Sequence, residues 1–368
     1  MAKIAFRVDA SSKIGAGHLF RCLNLAKRLL SNGNDVTFLT LLESEEHQQL
    51  LRRHGIRVLN LVEASGDLIN KDWQLQDASQ CSRAISPPLD NDTVTNKQFD
   101  LIVVDHYAID HHWQKLMVNY YKELLVIDDL ANRSHLANYL VDQTLGCVKA
   151  NYQSLVPNYC QLLVGSEYII LNPDFANYRS KALVKRAKGL AKTNKDKINI
   201  LISMGACDPD NISQILYDSL KTLRQRFRQF SVVIVLSSLA PHKSELLNKT
   251  KNSDWCQLTI NPSSMARLML DADIAIGTPG TTSWERCFMG LPSILLQDAD
   301  NQRVVANHLA EQQAAINLGH YKTLTTERLS RALTALLDEN TYKRQVNACL
   351  NICDGKGIER IINKTAMA

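Results

Sequence analysis

The sequence predicts two doubly wound α/β domains, Rossmann-like and facing one another across a cleft, and three observations lead there. Its 368 residues suffice for two domains at roughly 150 residues each, large enough for each to bury its own core. Hydrophobic residues make up 45% and charged residues 21%, a globular balance that excludes long disorder, collagen and coiled coil. Short apolar runs alternate with amphipathic segments, the alternation stops in a basic stretch, and then it starts again.

The first alternation opens with a strand-like run over 3–8, then a helix-like segment over 18–31, a strand over 35–41, a helix over 44–54 and a strand over 56–61. Residues 62–98 are polar and contain Pro87-Pro88, so they read as an excursion with weak structure. The pattern resumes with a strand over 101–105, a helix over 109–121 and strands over 123–128 and 139–142, and the first domain is expected to span 1–173. From Arg179 to Lys197 there are eight basic residues and one acid, which reads as a solvated linker over 174–197. A strand over 198–203, a helix over 209–228, a strand over 231–236, a helix over 262–271 and strands over 273–276 and 293–296 then predict a second domain over 198–368. In such folds ligands are expected at the carboxyl ends of the strands.

Lys plus Arg number 42 against 37 for Asp plus Glu, a formal charge of +5. The basic stretch holds more than this whole excess, so the rest of the chain offers no broad basic face and nucleic acid is disfavoured as a partner. Nine cysteines without a CxxC pair read as reduced thiols. No apolar run approaches the ~20 residues of a membrane span, so a cytoplasmic protein without an anchor is expected. No metal is expected: His111 and His112 are adjacent, and adjacent residues point to different sides of a helix.

The run from Arg7 to His18 is a glycine-rich loop, with Gly15 and Gly17, opening a helix. A dinucleotide fingerprint would need Gly or Ala where Phe20 stands and an acid closing the second strand, where Asp35 instead opens it. NAD is disfavoured, no Walker-type sequence occurs, and no cofactor is expected. His18 is the telling residue, because the positive end of a helix disfavours an imidazolium and keeps a neutral base. The plain alternative is a histidine capping a backbone group in a glycine turn. Asp9 is a candidate for holding water or a sugar hydroxyl, against the commoner role of an Asp satisfying a turn.

In the second half, the run Ser203 to Pro209, containing Gly205, ends a strand and begins a helix, with Pro209 suited to the first helical position. The run Gly277 to Glu285 joins a strand to a helix whose first N–H groups, near Thr281 and Thr282, are expected to hold a diphosphate. Glu285 lies one turn inside and is a candidate for two ribose hydroxyls, although an acid in a first helical turn is common. Gly290-Leu291-Pro292 precedes the next strand, and Asn301-Gln302 follow its exit, where amides can read sugar groups.

The order of these motifs resembles the GT-B nucleotide-sugar enzymes. More closely, Arg7-x-Asp9, Gly15-x-Gly17-His18-x-x-Arg21-Cys22, Asp105-x-Tyr107, Asp128-Asp129, Asp208-Pro209, Trp284-Glu285-x-Cys287 and Asp354-Gly355-Lys356-Gly357 resemble the UDP-2,4-diacetamido-2,4,6-trideoxy-β-L-altropyranose hydrolases of pseudaminic acid biosynthesis. The resemblance runs from Ala5 to about Arg360, and extends more distantly to the glycosyltransferase that makes the peptidoglycan lipid precursor. Ala206 stands where a second glycine is usual, His106 replaces a smaller residue, and the 62–98 insert is longer and more polar than expected.

The resemblance implies that His18 activates water against the anomeric carbon of a UDP-linked diacetamido sugar, with inversion and UDP leaving. It also implies that Glu285 holds ribose, that Arg21, Gly15, Gly17 and Gly205 line the site, and that Tyr107, Asn301 and Gln302 orient the sugar. UDP is a good leaving group, so the acid partner of ordinary glycosidases is unnecessary. One rival is a glycosyltransferase in which His18 deprotonates an acceptor alcohol. Another is a noncatalytic UDP-sugar sensor, which would be expected to lose its base. Neither a membrane nor a nucleic acid is expected as a partner.

Overall fold

The computed structural model describes residues 1–11, 14–62, 71–85, 98–190, 197–224 and 230–365. Parts of the sequence expectations lie outside these residues: Ser12 and Lys13 of the glycine loop, 63–70 and 86–97 of the insert, 191–196 of the basic stretch, and 225–228 at the end of an expected helix.

The chain folds into two compact units, one formed by Met1–Asn172 with Lys356–Ala368 and the other by Pro173–Gly355. In the first unit the strands are β1 (Lys3–Val8), β2 (Asp35–Thr40), β3 (Arg57–Asn60), β4 (Phe99–Asp105), β5 (Tyr121–Ile127), β6 (Tyr139–Asp142) and β7 (Gln161–Val164). They form one sheet in the order β3-β2-β1-β4-β5-β6-β7, with every pairing parallel. The helices are α1 (Gly17–Ser31), α2 (Glu45–Arg53), α3 (Lys71–Ile85) and α4 (His111–Met117). Parallel strands covered on both faces must be apolar on both, and β1 is buried from Ile4 to Val8. Leu19, Cys22, Leu23, Leu25, Ala26 and Leu29 of α1 recur at helical spacing and pack on Ile4, Phe6 and Val8.

In the second unit α5 (Ala176–Ala187) precedes the strands β8 (Ile198–Ser203), β9 (Phe230–Leu236), β10 (Cys256–Ile260), β11 (Ile274–Gly277), β12 (Ser293–Gln297) and β13 (Ala315–His320). Their order is β10-β9-β8-β11-β12-β13, again all parallel. The other helices of this unit are α6 (Ile212–Leu223), α7 (Lys243–Thr250), α8 (Met265–Asp271), α9 (Thr282–Phe288), α10 (Gln302–Glu311), α11 (Thr326–Leu337) and α12 (Glu339–Ile352), and the last helix, α13 (Gly357–Lys364), belongs to the first unit. In each unit strand order reverses beside the first strand, between β1 and β4 and between β8 and β11, which is where doubly wound sheets open a ligand crevice.

The structure departs from the sequence reading in three places. The basic stretch is not a solvated hinge at its start: α5 docks in the second unit, and the buried Arg186 donates to the carbonyls of Ala272 (2.7 Å) and Met269 (2.8 Å) at the end of α8. Lys185 adds bonds to Leu270, Asp271 and Ala272 and an ion pair to Asp273 at 2.7 Å. A helix end leaves orphan carbonyls and a partial negative charge, and these two cations satisfy both. The expected second domain also loses its tail, because Ile358, Ile361 and Ile362 of α13 join the core of β1 and α1 in the first unit. Gly357 begins that helix against the backbone of Ile169, where any Cβ would collide. Finally, the insert contains a full helix, α3, which buries Trp73, Ala78 and Cys81 with Trp113 and Met117 of α4.

Candidate active site

The turn after β1 closes when the Gly15 N–H donates to the Ser11 carbonyl at 2.8 Å, with Gly15 at φ +79°, a conformation that favours glycine. Gly17 then starts α1, and His18 lies one residue inside it, with 11% of its side chain exposed. Beside it β4 ends in Asp105. His18 Nδ1 sits 2.7 Å from Asp105 Oδ1, while Arg21, one turn on, donates from Nε to Oδ2 (2.8 Å) and from Nη2 to Oδ1 (2.7 Å). Burial alone would raise the Asp105 pKa, but the charge of Arg21 and the hydrogen bonds from His18 and Arg21 outweigh it and hold the carboxyl well below its usual range. An ionised carboxylate only accepts, so the 2.7 Å contact puts a proton on Nδ1, beside which Arg21 Nη2 also stands at 3.2 Å, and in the neutral ring the lone pair then lies on Nε2. The Tyr107 ring stands edge-on to His18, centroids 4.5 Å apart. Burial, followed by the charge and hydrogen bonding of Asp129, pushes the Tyr107 phenol far above its ordinary value, so it remains a donor.

Gly15, Gly17, His18, Arg21 and Tyr107 therefore come together. Arg21 is buried and spent on Asp105 and, through Nη1 at 3.2 Å, on Asp129, so it organises the carboxylates instead of facing a ligand. Asp9 is a second correction. It is 4% exposed, pairs with both terminal nitrogens of Arg7, accepts from the Leu41 N–H at 2.7 Å, and lies 3.2 Å from His106 Nε2. Both its oxygens are taken. Burial opposes ionisation, but Arg7 and then His106 hold Asp9 well below the carboxylate range.

Arg7 reaches onward to Asp77 of α3, whose Oδ1 also accepts from Trp113 Nε1 at 2.7 Å. His106 Nδ1 accepts from the Ala108 N–H at 3.1 Å, and its ring stacks on Trp73 at 5.2 Å. The insert helix thus clamps the residue that precedes Tyr107. Stripping one partner from a buried ion pair of this kind costs about 3–5 kcal/mol. Sequence reasoning missed Asp77 and Trp73 because they lie in a polar stretch. It quoted Asp105 and Asp129 without a role, and the strand-end position of Asp105 was the one signal that pointed to it.

In the second unit Gly205 follows β8 at φ +87°. Pro209 is not the first helical residue: α6 begins at Ile212, and both oxygens of Asp208 cap it, accepting from the N–H groups of Ile212 and Ser213 at 2.8 Å. Thr281 is the N-cap of α9 and Thr282 its first residue. Beneath this turn the buried Arg286 donates from Nη2 to the Thr278 carbonyl and Ser283 Oγ, both at 2.8 Å, and from Nη1 to Thr282 Oγ1 at 3.3 Å. Gly277 must be glycine because a Cβ would strike that guanidinium and the Ser203 carbonyl. Burial, against the adjacent charge of Arg286, pushes the Glu285 carboxyl up to about 7, and its Oε2 is shielded from solvent without a hydrogen-bond partner. Gln302 differs from expectation, since its Oε1 accepts from the Asp298 N–H at 3.1 Å and closes the β12–α10 loop, whereas Asn301 is exposed.

The expected separation of His111 and His112 also fails. Asp110 caps α4, and the two imidazoles lie side by side with centroids 3.9 Å apart, each Nδ1 within 4 Å of Asp110 Oδ1 at 3.7 and 2.9 Å. A cation there would face the positive end of the helix dipole.

Residues 181–361 match the glycosyltransferase family 28 C-terminal domain. Across the whole chain, the crystal structure of Acinetobacter baumannii MurG superposes with a TM-score of 0.66 at 15% identity, covering 99% of each chain. The fold is GT-B. An uncharacterized protein of Methanocaldococcus jannaschii is 28% identical over 307 residues, 82% of this chain and 57% of that protein. The spore coat polysaccharide biosynthesis protein SpsG of Bacillus subtilis is 26% identical over 200 residues, 54% of this chain and 56% of its own length. The chain thus spans little more than half of these two relatives. UDP-2,4-diacetamido-2,4,6-trideoxy-beta-L-altropyranose hydrolase of Campylobacter jejuni is 26% identical over 275 residues, 74% of this chain and 82% of that enzyme. No helix among the described residues is long and apolar enough to cross a membrane.

Proposed function

We propose that this GT-B protein hydrolyses a UDP-linked 2,4-diacetamido-2,4,6-trideoxy sugar, with water attacking the anomeric carbon and UDP departing with inversion. The observation that supports this reading is the Asp105–His18 contact at 2.7 Å, which orients the imidazole so that, in its neutral form, Nε2 is the nitrogen free to take a proton from water. The name of the Campylobacter jejuni relative supports the substrate class. In this reading the first unit supplies the base. The second holds the nucleotide, with Glu285 on ribose and Gly205, Thr281 and Thr282 near the phosphates.

A second reading, transfer of the sugar to an acceptor alcohol by the same base, is favoured by the family 28 match over 181–361. Purified protein given the UDP-sugar without acceptor separates the two: UDP release supports hydrolysis, and a strict need for acceptor supports transfer. Run in ¹⁸O water, hydrolysis should put label on the sugar, because an oxocarbenium-like centre needs only a held leaving group and a base. Label in UDP would move attack to phosphorus.

Glu285 makes the reading pH-sensitive. To accept ribose hydroxyls it must ionise, and burial has raised it to about 7. Below that value each pH unit should raise KM for the UDP-sugar roughly tenfold, and above it KM should level off. Glu285→Gln should raise KM and flatten the profile. A wild-type KM independent of pH between 5.5 and 8.5 would remove Glu285 from nucleotide binding.

A further inference from the structure

We propose that Asp129 is the residue of the first unit that reads the sugar, accepting a hydrogen bond from an N–H or O–H of the substrate beside His18. The inference rests on the UDP-sugar reading above and adds to it a specificity residue. Asp128 and Asp129 follow β5, but their environments differ. Asp128 is buried and paired with Arg133 at 2.8 Å, whereas the Asp129 side chain is 24% exposed at the cluster formed by Arg21, Tyr107 and His18. Asp129 Oδ2 accepts from Arg21 Nη1 at 3.2 Å and the carboxylate is also hydrogen-bonded to the Tyr107 phenol, whereas Oδ1 is shielded from solvent with no hydrogen-bond partner. Asp105, the other carboxylate on Arg21, has no such vacancy, since Oδ1 meets His18 and Arg21 and Oδ2 meets Arg21 and Cys22.

An acceptor withdrawn from water without a donor is costly, and native proteins rarely leave one without a purpose. A carboxylate oxygen accepts only, so the missing partner must bring a hydrogen. A diphosphate has none to offer and would be repelled, and in the reading above the donors of ribose and uracil lie with the second unit, so the partner is assigned to the sugar. A 2,4-diacetamido-2,4,6-trideoxy sugar joined at its anomeric oxygen carries few donors: two acetamido N–H groups and one ring hydroxyl. A site with a buried acceptor also rejects analogues that lack the matching donor far more strongly than a merely apolar pocket does.

The bland alternative is that Asp129 only ties down Arg21, and Asp129→Asn separates the two roles. Arg21 offers donors alone, so the amide oxygen turns toward it and the NH₂ group fills the vacancy, keeping the tie while presenting a donor where an acceptor is needed. The experiment measures UDP affinity by calorimetry and kcat/KM for UDP-2,4-diacetamido-2,4,6-trideoxy-β-L-altropyranose, with the full-length wild type and this variant. We expect UDP affinity to stay within about twofold and kcat/KM to fall roughly 10- to 100-fold. Analogues lacking the C3 hydroxyl or the C4 acetamido group identify the donor: the one that is read should lose activity with wild type and lose nothing further with the variant. An unchanged kcat/KM, or an equal further loss with every analogue, overturns the assignment of Asp129. Failure of the wild type to bind UDP or to release it from the UDP-sugar overturns the functional reading, and Asp129 as a sugar reader falls with it.

Discussion

Asp105→Asn should lower kcat about 10³-fold or more while leaving UDP affinity within about twofold. The side chain keeps its shape, but an amide can offer N–H to His18 Nδ1, which moves the imidazole proton to Nε2 and removes the lone pair from the position facing water. The same change takes from Arg21 the charge that both its Nε and Nη2 now meet at 2.8 and 2.7 Å. A merely structural Asp105 would instead lower the melting temperature and leave the kcat of the folded fraction intact. Active-site titration and thermal melts on the purified variant distinguish the cases, and wild-type turnover per folded molecule would remove the dyad from the mechanism.

His18→Ala should lower kcat by about 100-fold or more, the usual loss for a general base, again with UDP affinity nearly unchanged. The residue lies in the first turn of α1 and is not part of the α1 core contacts, so the fold should tolerate its loss. Two accompanying results make the assignment specific. Added imidazole should restore part of the activity to His18→Ala, and the double variant with Asp105→Asn should be no slower than His18→Ala alone, because an orienting group has nothing left to orient. Additive losses would mean that Asp105 and His18 act in separate steps.

The alternation of strands and helices was legible because it is local. An apolar run such as Ile4 to Val8, or the spacing of Leu19, Cys22, Leu23, Ala26 and Leu29, is set within one or two turns of chain, and it stands in the structure as read. The insert failed for the same reason. The Trp73, Ala78 and Cys81 face of α3 lies among Lys71, Asp72, Gln74, Gln76 and Asp77, and its polarity outweighed its periodicity. Asp77 looks like a solvent-facing acid until Arg7, 70 residues earlier, is found beneath it. The tail was misassigned similarly, since the apolar positions of α13 show that the helix is buried but not in which core.

By itself the sequence determined the two parallel α/β sheets, the glycine turn at Gly15, and the place of His18 at the opening of a helix, because secondary structure, turn chemistry and helix ends are decided by neighbours in the chain. Tertiary structure alone decided which charge meets which: Asp105 holds His18 across 87 residues of chain, Asp9 is consumed by Arg7, and Asp129 keeps an oxygen without a donor. The physical reason is that an ion pair or hydrogen bond is satisfied through space by any donor and acceptor of the right kind. A list of acids and bases therefore admits many pairings, and only the packed fold selects one and leaves an atom over.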